Sequence, residues 1–205
     1  DGRYNDFYRT RELQFPAANI YNHDPINGNT NKVNGQTVQM SEEQFEKYLY
    51  MIMTRGTSFW ELYYSFNLMN EGKWMVNSEV LKWGEENFDI LRNAKLIGEN
   101  AESMSGIYGY SAWNGDEGVV SLRNPSATTQ TYTITLDRLI GVGEGSANMT
   151  KSTVYPYGVP EEDTVYNYGD TIEVTLKPYE VVVWQFGDAD TTSADVVEVK
   201  AEDAN

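Results

Sequence analysis

The chain of 205 residues carries 15 Lys+Arg against 31 Asp+Glu, a formal net charge of 15 − 31 = −16, with no cysteine and a single histidine. That composition excludes a disulfide framework, a thiolate zinc site and a cysteine nucleophile. The negative field disfavours nucleic acid and anionic membrane surfaces, so no nucleic-acid partner is expected, and no apolar run approaches the ~20 residues of a membrane span. Hydrophobic residues make up 40% and aromatic ones 13%, with 15 Tyr and 5 Trp. A disordered acidic chain lacks such residues, so a packed core or an aromatic-lined site is expected, with neutral or cationic ligands favoured. The opening Asp1-Gly2-Arg3-Tyr4 has neither an initiator Met nor a signal-peptide pattern and reads as the start of a mature product or of a piece of something longer.

In chain order, Gln14 to Tyr21 reads as a short buried strand ending in Asn22-His23-Asp24-Pro25, where the proline stops the run. Asn27 to Gln39, rich in Asn and Gly, reads as a surface excursion. Ser41 opens a helix: Ser41 and Gln44 have capping-box spacing, and Phe45, Tyr48, Leu49 and Ile52 recur at helical intervals up to a stop near Arg55-Gly56. Ser58 to Tyr64 is aromatic on both faces and reads as a strand buried from both sides, with Glu61 conspicuous in its middle. Glu71 to Asn93 predicts a second helix whose Val80, Trp83, Phe88 and Leu91 share an inward side.

Near residue 100 the pattern changes to period two. Tyr132, Ile134 and Leu136 share one face, as do Ile172, Val174 and Leu176. With Ile107–Trp113, Gly118–Arg123, Ser152–Tyr157, Glu180–Phe186 and a turn at Asn114-Gly115-Asp116, this predicts an antiparallel Greek-key β-sandwich of ~80 residues. The expected fold class is therefore α+β, with strand–helix units over 1–100, an accessory sandwich over 101–187 and an acidic linker or tail over 188–205. That tail has six acids and one Lys, a net charge of 1 − 6 = −5, and Val196, Val197 and Val199 are candidates to begin a further strand.

Strand–helix–strand–helix order fits successive units of a (β/α) barrel, but a full barrel needs about 250 residues, so only a terminal part fits here. His23 and Asp24 fall at a strand's carboxyl end, where barrel sites form; they are candidates to bind a ligand, and Asp24 before Pro25 is equally a turn former. Glu61 either faces a barrel mouth or pairs with a base such as Arg55. Trp60, Tyr63 and Tyr64 are suited to stack on the flat face of a ligand ring, with core packing the default. Tyr108, Tyr110, Trp113 and Asn114 are weighed as a carbohydrate platform against a plain sandwich core, the commoner use. Asp116 and Glu117 lack a calcium-loop pattern, no phosphate loop or serine elbow is present, and Asn148-Met149-Thr150 is a glycosylation sequon. No metal or cofactor is expected.

Thr57-Ser58-Phe59-Trp60-Glu61-Leu62-Tyr63-Tyr64-Ser65, followed by a helix ending Glu86-Asn87-Phe88-Asp89-Ile90-Leu91, resembles the last strand and helix of the catalytic barrel in α-galactosidase-like glycoside hydrolases. The run Leu176-Lys177-Pro178-Tyr179-Glu180-Val181-Val182-Val183-Trp184 resembles the closing strand of the β-sandwich that follows that barrel. The resemblance makes Tyr21-Asn22-His23-Asp24-Pro25 the end of the penultimate barrel strand, with Asn22, His23, Asp24, Trp60, Glu61 and Tyr63 as carbohydrate-binding candidates. It implies a retaining double displacement by two carboxylates about 5 Å apart, with at least the nucleophile upstream of Asp1. Asp1 and Arg3 would then lie near a sugar subsite. The expected partners are carbohydrate and the remaining barrel segment of a secreted or cell-surface bacterial enzyme, and this fragment alone is expected to be inactive, with unpaired sheet edges. A rival reading is a non-catalytic carbohydrate-binding or adhesion module in which the first hundred residues form a helical layer on the sandwich.

Overall fold

The computed structural model describes residues 16–28, 32–33, 36–37, 39–99, 105–160 and 163–188. The readings on Asp1, Arg3, Gln14 and the acidic tail lie outside these. Residues 21–64 hold six short strands and a helix: β1 (Tyr21–Asn22), β2 (Ile26–Asn27), β3 (Lys32–Val33), β4 (Gln36–Thr37), α1 (Glu42–Met53), β5 (Ser58–Trp60) and β6 (Tyr63–Tyr64). In the described part of the strand expected over 14–21, Ala17–Asn19 is instead a 3-10 turn, and Tyr21 and Asn22 enter a ladder. Pro16, with no N–H to donate and φ fixed at −54°, caps that turn. The Asn/Gly-rich excursion contains the antiparallel pair β3–β4.

Helix α1 starts where the capping box places it. Ser41 Oγ accepts from the Gln44 N–H at 3.1 Å and Gln44 Oε1 accepts from the Ser41 N–H at 3.0 Å, while Glu42 and Glu43 sit at the positive end of the helix dipole. Phe45, Leu49 and Ile52 are fully buried. Gly56 ends the segment at φ +73°, and a Cβ there would lie 2.2 Å from the Leu91 carbonyl oxygen, so only glycine fits.

The expected strand over 58–64 is broken. β5 pairs in parallel with β1 (Tyr21 with Ser58, Asn22 with Trp60), and β6 pairs in parallel with β2 (Ile26 with Tyr63, Asn27 with Tyr64). Between these ladders His23-Asp24-Pro25 and Glu61-Leu62 leave the register, three residues against two. Glu61 is therefore expelled from the ladder instead of being buried within it.

The second helix also divides. α2 (Glu71–Glu86) is capped by Asn70, whose side chain accepts from the Lys73 N–H at 2.9 Å, and ends at Asn87; the short α3 (Phe88–Leu91) follows. The division falls at Asn87, whose side-chain amide donates to the Trp83 carbonyl at 2.9 Å beside its own backbone N–H at 3.1 Å. Gln185 then donates to Asn87 Oδ1 at 3.0 Å, which ties this corner to the sheet. Val80 and Leu91 are buried as the spacing predicts, with Trp83 packed against them and Phe88 partly buried.

The remaining strands are β7 (Lys95–Gly98), β8 (Tyr108–Asn114), β9 (Glu117–Arg123), β10 (Gln130–Thr135), β11 (Met149–Tyr155), β12 (Val165–Tyr166), β13 (Thr171–Leu176) and β14 (Val181–Asp188). Six of them form one antiparallel sheet in the order β12-β11-β14-β9-β8-β7, and β10 pairs with β13 in a second sheet. Strand β7, N-terminal to residue 100, is thus a member of the large sheet.

Alternation explains how that sheet is covered on both faces. Tyr108, Tyr110, Ala112, Val119, Val181 and Val183 join Phe45, Leu49, Tyr50, Ile52 and Val80 of the helices in one core. Val120, Leu122, Val182, Trp184 and Phe186 join Ile134, Leu136, Ile172 and Leu176 of the second sheet in another. Gly109 permits close strand contact, because a Cβ there would meet the Ser121 carbonyl oxygen at 1.7 Å. Thr54 Oγ1, bonded to the Tyr50 carbonyl, also meets Ser121 Oγ at 2.7 Å and joins α1 to the sheet inside the core.

Candidate functional site

The register break places His23 and Glu61 side by side at the carboxyl ends of two parallel strands, where the backbone leaves the ladder and side chains converge. His23 Nδ1 lies 2.8 Å from Glu61 Oε2. The Tyr63 hydroxyl donates to the same carboxylate oxygen and lies 3.4 Å from His23 Nδ1. Tyr21 meets the imidazole edge-on, with ring centroids 4.6 Å apart. The cluster faces solvent: the His23 side chain is 68% exposed and that of Glu61 37%. The hydrogen bond to the Glu61 carboxylate raises the Tyr63 phenol above its ordinary pKa, because it stabilises the protonated hydroxyl.

Asp24 faces a different set of partners. Its Oδ2 accepts from Arg55 at 2.9 Å and its Oδ1 accepts from the Tyr48 hydroxyl at 3.1 Å, while Tyr48 in turn accepts the Ile26 N–H at 2.9 Å. The Arg55 side chain is only 4% exposed. Burial pushes the Tyr48 phenol up to about 12, with the Asp24 charge adding to it and the Ile26 bond opposing it. Both Asp24 oxygens are therefore engaged in holding the β1–β2 corner to α1. Glu61 thus meets His23 as its basic partner, and Arg55 serves Asp24.

The other candidates divide in the same way. Trp60 donates from Nε1 to the Thr57 carbonyl at 3.1 Å and meets Phe88 edge-on at 6.3 Å. It lines an open groove of about 970 Å³ with Leu62, Trp74, Leu81, Glu85 and Phe88. Asn22 ends β1 opposite Trp60, and its side chain lies outside the described set. Tyr64 donates to Asn77 Oδ1 at 2.7 Å and packs against Phe45, a core role. Tyr108, Tyr110 and Trp113 are buried, so they form sandwich core and no carbohydrate platform. Tyr21 lies two residues before His23, a local relation that the sequence reading did not use, whereas Tyr48 had no local signal because it acts from a helix 24 residues after Asp24.

No cluster of three or more His, Cys, Asp or Glu suited to a metal ion occurs among the described residues, and none of their helices is long and apolar enough to cross a membrane. The site offers hydrogen-bond acceptors, two exposed phenols and a ring nitrogen, which together suit a ligand rich in hydroxyl groups.

No protein-family model and no curated protein matches the chain. Among solved structures, α-galactosidase I from Mortierella vinacea is similar over 82% of this chain and 40% of its own, with 13% identity and a TM-score of 0.50. A β-L-arabinopyranosidase from Geobacillus stearothermophilus gives 75% and 32% coverage, 15% identity and a TM-score of 0.49. An α-galactosidase-like protein from Bacteroides fragilis gives 73% and 29%, 13% and 0.45. The chain spans less than half the length of each. The antiparallel sandwich with its packed helices thus has the fold of part of an α-galactosidase-type glycoside hydrolase.

Proposed function

We propose that this chain is the C-terminal portion of a glycoside hydrolase, made of the closing strand–helix units of a (β/α)8 barrel followed by an accessory sandwich. The observation that carries this reading is the parallel pairing of β1 with β5 and β2 with β6 across helix α1, with His23, Glu61 and Tyr63 bonded together at the strand ends. Parallel pairs are ordinarily buried in larger sheets covered by helices. Here β5 has one partner strand among the described residues, the Trp60–Trp74 groove with Leu62 opens beside it, and Met75 and Phe66 are further exposed apolar side chains, the last 84% exposed. Such a surface is suited to further strand–helix units supplied by the same enzyme.

In this reading the cluster binds hydroxyl groups of a neutral oligo- or polysaccharide. Tyr63 and Tyr21 border the sugar, Glu61 and His23 accept and donate hydrogen bonds to it, and Asp24 holds the loop in place through Arg55. Hydrolysis proceeds by a retaining displacement whose nucleophile lies outside this chain, and the product acts in a secreted or cell-surface setting. The helical layer packed on the sandwich is also what a self-contained carbohydrate-binding module would show, which keeps that as the second reading.

Reading the coding sequence upstream of Asp1 and assaying its full product on an aryl α-galactoside tests the proposal. Further strand–helix repeats with Asp or Glu at strand ends, turnover by the full product, and a loss of about tenfold or more in kcat/KM with His23→Ala are expected. A full product without such repeats that binds glycan and hydrolyses nothing would establish the module instead.

A further inference from the structure

We infer that Glu61 is a positioning residue: with Tyr63 it fixes the neutral imidazole of His23 with its proton on Nδ1, so that Nε2 is presented to the site as a hydrogen-bond acceptor for a hydroxyl of the ligand. This rests on the carbohydrate reading above and assigns the cluster its internal division of labour.

The argument begins with proton inventory. An ionised carboxylate has no hydrogen to give, so the 2.8 Å contact between Nδ1 and Glu61 Oε2 requires the proton to sit on Nδ1. A neutral imidazole with Nδ1–H has a lone pair at Nε2, and the partner at one nitrogen thereby decides the role of the other. Tyr63 reinforces the arrangement, because its hydroxyl donates to the same Oε2 and holds the carboxylate where the imidazole meets it. Tyr21, edge-on at 4.6 Å, restricts rotation of the ring. The ring's hydrogen bonds among the described residues all run through Nδ1, and the side chain is 68% exposed.

Charge limits the choice of occupant. Among the described residues, His23, Glu61 and Tyr63 bond to one another and to no Lys or Arg, and Arg55 bonds to Asp24. An acceptor nitrogen beside a carboxylate favours a donor group on a neutral ligand and disfavours an anion. The matching chemistry is the hydroxyl of an uncharged saccharide, which donates to Nε2 while its ring lies against Tyr63.

His23 is the sole histidine, so one resonance set reports the state of the ring. Two-bond 1H–15N correlation spectra of the full 205-residue chain, recorded at a pH where the imidazole is neutral, should show a protonated Nδ1 and a pyridine-like Nε2. A free histidine side chain prefers the opposite form, so Glu61→Ala should reverse the pattern, a change of about tenfold in tautomer ratio for loss of a charge-assisted bond. Glu61→Asp should restore part of it, and Tyr63→Phe should weaken it without reversing it. A wild-type ring protonated on Nε2, or a tautomer ratio unchanged by Glu61→Ala, would overturn the inference. Titration with D-galactose separates the two readings: the Nε2 resonance should move on binding. An unmoved Nε2 with the tautomer intact tells against Nε2 as the contact to the sugar; galactose affinity that survives His23→Ala but is lost in Tyr63→Ala would do the same while leaving the carbohydrate reading in place.

Discussion

Asp24 is the most informative residue to change, because its two possible roles predict opposite phenotypes. Asp24→Asn keeps the size and one carbonyl acceptor but removes the charge opposite a guanidinium that is 4% exposed. At the 2.9 Å separation and an effective dielectric of about 20, the gross attraction is roughly 332/(20 × 2.9), or about 6 kcal/mol. Desolvation of the pair offsets part of this, and Asn retains a neutral hydrogen bond. Disrupting one partner of a buried pair costs about 3–5 kcal/mol. Asp24 is only partly buried, so about 2–4 kcal/mol is expected. With a urea m-value near 2 kcal/mol/M, that lowers the midpoint by about 1–2 M, measured by tryptophan fluorescence. Galactose affinity, corrected for the folded fraction, should fall far less than in His23→Ala. An Asp24→Asn chain with the wild-type midpoint and abolished sugar binding would refute the anchoring role.

Three further outcomes follow from the core. Glu46 sits on α1 with its pKa raised by burial and by Glu79 and Glu43, against the opposing Tyr157 hydrogen bond and Lys47; folding therefore favours its protonated form. Its contribution is complete below the ordinary value of 4.5 and is lost as pH rises through the raised folded value, so Glu46→Gln should flatten the acid side of the stability profile and raise the melting temperature at pH 7, with little change at pH 4. Gly56→Ala forces a side chain into φ +73° against the Leu91 carbonyl and should cost about 2–4 kcal/mol in urea unfolding. Thr54→Val and Ser121→Ala should each cost about 1–2 kcal/mol by leaving the other hydroxyl of the 2.7 Å pair with one fewer partner, while the double variant should cost less than the sum of the two.

Local rules carried the reading wherever a short stretch of chain decides its own shape. Ser41 and Gln44 announce the start of α1 because their bonds are made within one turn, and the period-two runs at 130–135 and 171–176 announce strands because their burial is one-sided. Expectations were displaced where a distant partner decides. Ser58–Tyr64 looks like one strand, yet the ladder is interrupted by the Asp24-Pro25 corner of a segment more than thirty residues earlier. Glu71–Asn93 looks like one helix, yet Asn87 is held by its own cap and by Gln185, 98 residues away. Tyr108 and Tyr110 offer the same alternation whether a face is wet or dry, and the helices of the first hundred residues make it dry, while Trp113 on the other face is covered by the second sheet's core. At the site, His23 was legible from its strand-end position and Glu61 and Tyr63 as a carboxylate and a phenol within an aromatic run, whereas the pairing of Asp24 with Arg55 depends on the tertiary approach of α1.

The large antiparallel sheet works as a party wall, with apolar tenants on either side. Tyr108, Tyr110, Val181 and Val183 shelter against α1 and α2, and Val120, Leu122, Trp184 and Phe186 against β10 and β13. Severing the chain before β7 would leave one side of that wall bare, so residues 95–188 are not a portable cassette despite their sandwich-like sequence. The same wall makes the His23 corner answerable to the large sheet: a change at Ser121 or Val183 is felt by α1, and α1 carries Tyr48 and leads directly into Arg55, the two groups that hold the His23 loop in place.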